Sequence, residues 1–419
     1  MKRGKRVEWT RLDNAAKIFP PTSNDKDTKV FRFVCELQEG VSPDILQMAL
    51  DETIENFPLY KSVLRKGVFW YYFETSNIHP TVELESTPIC DRIYFEGQRN
   101  LLFRVLYYKN RINVEIFHAL SDGTGALWFV KTLVYYYLMK KYKDILGDKS
   151  FKLDYDASLS QKMDDSFLKH YTKRKLPKRE KHPKAYHIHE TRREENRYKL
   201  VEGTMSVKEV LEAAHEYNTT LTVYLTALFI YSICKGMPAR RKNRPVVLSV
   251  PVNLRNYFES ESARNFFGTI NVGFHFGKKK ISLNEVIESV SESFKRELEE
   301  ERLLVHLNRL ASLEQNGLIR IVPLPLKDMV LKIANQVAER GITSSISNIG
   351  KITVAEELKP FIKQFSVFTS ARRPQIAICS YEDKLVVSFT SPYNETDIQK
   401  TFFQTLSHKG IDVKVVTNL

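Results

Sequence analysis

An alternating run at 111–117, Arg-Ile-Asn-Val-Glu-Ile-Phe, leads directly into His118-Ala119-Leu120-Ser121-Asp122-Gly123-Thr124-Gly125. A stretch rich in Leu, Tyr, Lys and Met follows over 126–142. The period of two reads as a half-buried strand, and the stretch after the turn reads as a helix. A strand that must stop and a helix that must start within a few residues leave the chain little freedom. His118 then stands at a strand end, where a side chain can face a cleft while packed elements hold it. The pattern is His-x-x-x-Asp-Gly. A neutral imidazole suits removal of a proton from an alcohol or amine. The Asp four residues on can pair with a cation and stiffen the turn, and the Gly permits a close approach that a side chain would block. On this motif alone a second reading stays open: a buried, satisfied His beside an ordinary Asp-Gly turn.

Elements of both kinds surround this unit. Strands are expected at 30–37, 59–64, 68–74 and 101–108, the last turning at Lys109-Asn110 into 111–117. Ser42-Pro43-Asp44 opens a helix with apolar residues Ile45, Leu46, Ala49, Leu50, Ile54 and Phe57 on one face. A short helical start at 11–18 is expected to stop at Pro20-Pro21. After 198 come a strand to 205, a capping box Ser206-Val207-Lys208-Glu209, and an apolar helix at 222–235. Strands at 245–252, 269–276, 342–350, 362–368, 376–380, 385–390 and 411–416 alternate with helices at 283–310, 326–338 and 397–406. The pattern predicts an α/β chain with mixed sheets and no internal repeat.

A chain of 419 residues is long enough for two cores. The stretch between Leu168 and Arg197 carries eleven Lys or Arg against four Glu, half of the net charge of +14. It reads as a connection between an N-terminal subdomain at 1–147 and a C-terminal one at 198–419, with 148–197 as the basic linking segment. It lacks interleaved aromatic residues, so no nucleic-acid partner is expected. No apolar run approaches the ~18 residues of a membrane span, and the basic start is not a signal peptide. Cys35, Cys90, Cys234 and Cys379 are far apart in sequence and lie mostly in apolar runs, which suits buried thiols in the cytoplasm. His187 and His189 alternate without a further ligand at metal spacing, so no metal is expected.

Five stretches in order resemble the CoA-dependent acyltransferase superfamily: chloramphenicol acetyltransferase, plant BAHD acyltransferases, condensation domains and microbial alcohol acetyltransferases. They are Phe117-His118-Ala119-Leu120-Ser121-Asp122-Gly123, residues 220–227, Val250-Pro251-Val252-Asn253-Leu254-Arg255, Asn265-Phe266-Phe267-Gly268 and Ser347-Asn348-Ile349-Gly350. The start, Arg11-Leu12-Asp13-Asn14-Ala15-Ala16, looks most like bacterial alcohol-acetyltransferase-like members. The resemblance implies two chloramphenicol-acetyltransferase-like subdomains with a tunnel between them and His118 midway along it. An acyl-CoA or acyl-carrier thioester would be the co-substrate, with no permanently bound cofactor, and a small or lipid-like alcohol the acceptor.

In that scheme His118 is the catalytic base. Asp122 faces away from the substrate and pairs with Arg255, and Gly123 keeps the tunnel clear. Ser347 and Asn348 are candidates for the oxyanion or the tunnel wall. Lys278-Lys279-Lys280 and the basic connection are candidates for the CoA phosphates. Two departures matter. Phe117 replaces the first of the paired histidines of condensation domains, and the BAHD signature Asp-Phe-Gly-Trp-Gly is absent. Both favour a stand-alone acyltransferase over a peptide-forming module. The competing readings are a catalytically idle acyl- or phosphopantetheine-binding homologue and a condensation-type, amide-forming enzyme.

Overall fold

The structure is a computed structural model that describes residues 9–147, 166–172, 177, 183–194, 197–277, 282–315 and 320–418. Among these residues the strands form a five-stranded sheet, a seven-stranded sheet and a three-stranded ribbon. The five-stranded sheet runs Ile362–Thr369, Val30–Leu37, Arg111–Phe117, Phe103–Tyr108, Val82–Leu84. All its pairings are antiparallel except the last. The seven-stranded sheet runs Phe267–Phe274, Val246–Asn253, Ser344–Ile352, Gln375–Tyr381, Lys384–Ser391, Lys199–Ser206, Lys414–Thr417. Here Ser344–Ile352 is parallel to both neighbours and the rest are antiparallel. The mixed α/β class is as the sequence pattern predicts.

One strand crosses the division expected at 147 and 197. Ile362–Thr369 lies far along the C-terminal part of the chain, yet it pairs with Val30–Leu37 in the five-stranded sheet. The reason is burial. All eight residues of Val30–Leu37 are buried, so both of its edges need a neighbour. Arg111–Phe117 supplies one and Ile362–Thr369 the other. The first hydrophobic core accordingly takes in Phe365, Val367 and Phe368 with Phe33, Ile112 and Val114.

Local signals succeed where neighbours in sequence suffice. The turn at Lys109-Asn110 forms, with Lys109 at a positive φ of 52°. The helix Leu221–Lys235 is buried around most of its circumference. Ser206 caps Val207–His215 through its hydroxyl, whereas the full reciprocal capping box forms at Ser282 and Glu285. Three expectations need correction. Pro20-Pro21 do not stop a helix; they sit in the first turn of a short one, Phe19–Thr22, where a missing N–H costs nothing. The strand expected from 59 is a 3-10 turn, Pro58–Lys61, before Ser62–Lys66. The helix expected over 283–310 is two, Leu283–Glu297 and Glu300–Gln315.

Most of the basic segment 148–197, and Lys278-Lys279-Lys280, lie outside the described residues. The described part at 183–194 packs on the seven-stranded half. Tyr186 N donates to Pro245 O at 2.8 Å, Arg193 N to Pro392 O at 2.9 Å, and Ile188 is buried in the second core. All four cysteines are buried free thiols. No helix among the described residues is long and apolar enough to cross a membrane.

The helix Asp397–His408 lies against Lys199–Ser206 at Gly203. A Cβ there would stand 2.2 Å from the Phe403 ring, which is itself locked among Phe389 and Phe402. Gly203→Ala is therefore expected to destabilise by about 1–3 kcal/mol through overpacking. Urea unfolding checks this, with the midpoint falling at unchanged slope.

Candidate active site

Strand Arg111–Phe117 ends as expected, and a turn over His118, Ala119 and Leu120 follows before helix Gly123–Lys141 starts. Asp122 is the N-cap of that helix. Its Oδ1 accepts from Gly125 N at 2.9 Å. Its Oδ2 faces the other half of the chain and accepts from Arg255 Nη1 and from Phe266 N, both at 2.8 Å. Arg255 also donates to Ser262 O, Arg264 O and Asn253 Oδ1. The pair read from the sequence is thus formed, with side chains only 7% and 6% exposed.

This bond ties the His118 turn to the segment before Phe267–Phe274. Phe117 points into the core, fully buried and stacked on Tyr94. His118 turns the other way and is partly exposed. Its backbone N donates to Lys29 O at 2.8 Å. Its ring is stacked on Phe19 at 4.5 Å, meets the edge of Phe31 at 4.9 Å and lies 5.5 Å from Phe267. Phe19 and Phe31 come from the N-terminal part of the chain and Phe267 from the seven-stranded sheet, so the imidazole stands where the two halves meet. Burial is the largest influence on its pKa and pushes it below the ordinary histidine value. Its own carbonyl, Asp122 and Asn265 pull the other way without overcoming this. Burial therefore favours the neutral form of the ring.

Ser121 is buried and donates to Ala263 O at 2.7 Å, so its hydroxyl is spent on the junction rather than available as a nucleophile. The space above Gly123 is not open: a Cβ there would come 2.9 Å from Ile349 Cδ1. Its bareness admits the strand Ser344–Ile352. Gly125, which the sequence reading passed over, is the more constrained glycine, since a Cβ would stand 2.0 Å from Ala263 O. Ser347 and Asn348 lie on the same strand just before Ile349 and are partly buried. Asn348 Nδ2 donates to Thr222 Oγ1 at 2.8 Å and its Oδ1 accepts from Gly350 N at 2.8 Å. It pins the strand, at its bulge, to helix Leu221–Lys235. The aromatic wall of Phe19, Phe31 and Phe267 carried no signal of its own, because nothing local distinguishes these rings from core residues.

No family model matches the chain, and no curated protein does. Solved structures match it over nearly its full length. Fusarium sporotrichioides TRI101, complexed with coenzyme A and T-2, is similar with a TM-score of 0.63 at 11% identity, covering 97% of this chain and 99% of that one. Polyketide synthase associated protein 5 from Mycobacterium tuberculosis gives 0.60 at 13% identity, covering 97% and 98%. The starter condensation domain of rhizomide synthetase RzmA, in complex with C8-CoA, gives 0.61 at 11%, covering 97% and 98%. The chain thus has the mixed α/β fold that these acetyltransferases and condensation domains share.

Asp122→Ala would leave the Arg255 guanidinium buried without its anion and remove a helix cap. A loss of about 3–5 kcal/mol is expected. Thermal and urea denaturation check this. A variant that melts like wild type would show the pair to be dispensable for the fold.

Proposed function

We propose that this chain is an acyltransferase that moves an acyl group from a CoA thioester, or an acyl-carrier thioester, to an acceptor hydroxyl. His118 is its general base. The observation that supports this reading best is the imidazole itself. It is neutral by burial, partly open to solvent, and held at the junction of the two halves by a buried ion pair one turn away. A satisfied core histidine needs none of these features.

The reaction follows from that placement. His118 Nε2 takes the hydroxyl proton as the oxygen attacks the thioester carbon. The carbonyl electron pair moves onto oxygen, giving a tetrahedral oxyanion. When the oxyanion collapses the C–S bond breaks, and the imidazolium returns its proton to the departing thiolate. The ester and the free thiol leave, and no covalent enzyme intermediate forms. The Ser347 hydroxyl is assigned to the oxyanion, with Asn348 holding the strand that carries it. Asp122, Gly123 and Arg255 support the turn, and a tunnel between the subdomains brings thioester and alcohol together, which contributes through proximity. TRI101 and the RzmA domain were solved with CoA or C8-CoA, which supports a thioester donor here. The aromatic wall favours an apolar, lipid-like alcohol over a charged one. The full burial of Phe117, where condensation domains carry a second histidine, favours ester over amide formation. A cytoplasmic location suits the four reduced thiols.

Purified protein with acetyl-CoA and longer acyl-CoAs against a panel of alcohols should release free thiol faster than alcohol-free controls. His118→Ala should lower that rate by about 10²–10⁴-fold with little change in melting temperature. Thiol release that the variant retains in full would rule out the base. Because burial lowers the His118 pKa, kcat/KM should hold steady down through the ordinary imidazole value of about 6.5 and fall only at lower pH. A pH–rate profile measures this.

A further inference from the structure

The helix Leu324–Glu339 carries its apolar stripe on the outside. A surface helix normally turns its apolar side to the core and its charges to water. Here Leu324 is the only apolar residue of the helix that is buried, and Asp328 is buried with it. Asp328 Oδ2 accepts from Tyr71 Oη at 2.8 Å, and Glu339 lies 3.5 Å from Arg373. Leu326, Met329, Val330, Ile333 and Val337 recur every third or fourth residue, so they share one face. Each is 51–61% exposed. The helix has 16 residues and is about 24 Å long. An unbroken apolar stripe of that length on a surface marks an interaction site.

The stripe is firmly held. Leu324 N donates to Val68 O at 2.8 Å. Lys327 Nζ donates to Phe69 O at 3.0 Å and stands 3.6 Å from the centre of the Trp70 ring. These contacts fix the first turn of the helix to the tip of the hairpin formed by Ser62–Lys66 and Tyr71–Thr75. Val68 and Phe69, at that tip, are also exposed, so the apolar surface continues past the helix start.

Charge decides what can cover it. Both carboxylates of the helix are engaged with Tyr71 and Arg373. Lys332 and Arg340 are exposed. Three residues separate Met329 from Lys332 and Lys327 from Val330, so a lysine borders the stripe on either side. A second copy of the chain would meet this face with the same face, setting like charges against each other in a protein of net charge +14. An anionic lipid surface suits both features. Its acyl boundary takes the stripe, and its headgroups attract the cations.

We infer that this helix, with the Val68–Phe69 tip, docks the protein on the surface of an anionic lipid bilayer and lies in the interface without crossing it. The helix packs on Phe19–Thr22, and Phe19 is the ring stacked on His118 at 4.5 Å. The docked face therefore stands one short helix away from the imidazole. The inference does not depend on the acyl-transfer reading, because binding to lipid needs no substrate.

Co-sedimentation of the full chain with vesicles tests it, using phosphatidylcholine alone or mixed equally with phosphatidylglycerol. Wild type is expected to bind the mixed vesicles at least about 10-fold more tightly than phosphatidylcholine, and to be released as salt rises. Val330→Asp combined with Ile333→Asp should weaken that binding by about 10–100-fold without lowering the melting temperature, since both side chains face solvent. Lys332→Glu combined with Arg340→Glu should bring binding to the mixed vesicles down to the phosphatidylcholine level. Wild type that stays in solution beside the mixed vesicles overturns the inference. So does an aspartate variant that binds as tightly as wild type. Should the aspartate variant fail to fold, the glutamate variant still decides, and its keeping the preference for phosphatidylglycerol would count against docking. Analytical ultracentrifugation checks self-association. A wild-type dimer that the aspartate variant splits, with no binding to lipid, would assign the face to a second copy and overturn the inference.

Discussion

The Asp122 carboxylate is the point on which this architecture turns. One oxygen closes the first turn of helix Gly123–Lys141 by accepting from Gly125 N, and the other accepts from Arg255 and from Phe266 N. One side chain therefore joins a strand–helix turn in the five-stranded half to the segment that enters Phe267–Phe274 in the seven-stranded half. A buried ion pair is not a free source of stability, since removing two charges from water costs several kcal/mol per ion. What offsets the cost here is the number of charge-assisted bonds converging on both partners: Arg255 alone reaches Ser262 O, Arg264 O and Asn253 Oδ1 besides Asp122. The pair specifies geometry more than it adds stability, and the geometry it specifies is where His118 stands.

The imidazole then sits among rings rather than charges. Phe19, Phe31 and Phe267 surround it, and the loss of water outweighs Asp122 and Asn265 in setting its protonation. A ring kept neutral by desolvation keeps its lone pair near neutral pH. Apolar packing from two halves thus surrounds a single polar side chain.

How much of this was legible in sequence depended on distance along the chain. Strand Arg111–Phe117, the turn after it and helix Gly123–Lys141 were readable because alternation, turn residues and capping are local. So was the Asp122–Arg255 pair, though only through the resemblance, since nothing local links positions 133 residues apart. Pro20-Pro21 were misread because proline ends a helix or begins one according to position, and position depends on what the chain packs against. Ile362–Thr369 was read as a strand at 362–368 within the C-terminal stretch, and its pairing with Val30–Leu37 was not legible, because an edge shows no partner in its own sequence. Gly125 stood inside a quoted motif and still went unassigned a role. Its importance lies in Ala263 O, which reaches it only through folding.

What the sequence determined unaided was the list of elements, the strand–turn–helix unit carrying His118, and the presence of enough apolar residues for two cores. Short-range sterics and hydrophobic periodicity suffice for those. Only the tertiary structure decided that a C-terminal strand completes the N-terminal sheet, that three phenylalanines from two halves enclose the imidazole, and that helix Leu324–Glu339 carries its apolar stripe outward. Each of these is set by which surfaces bury each other, a balance struck over the whole chain at once, and no window of residues contains it.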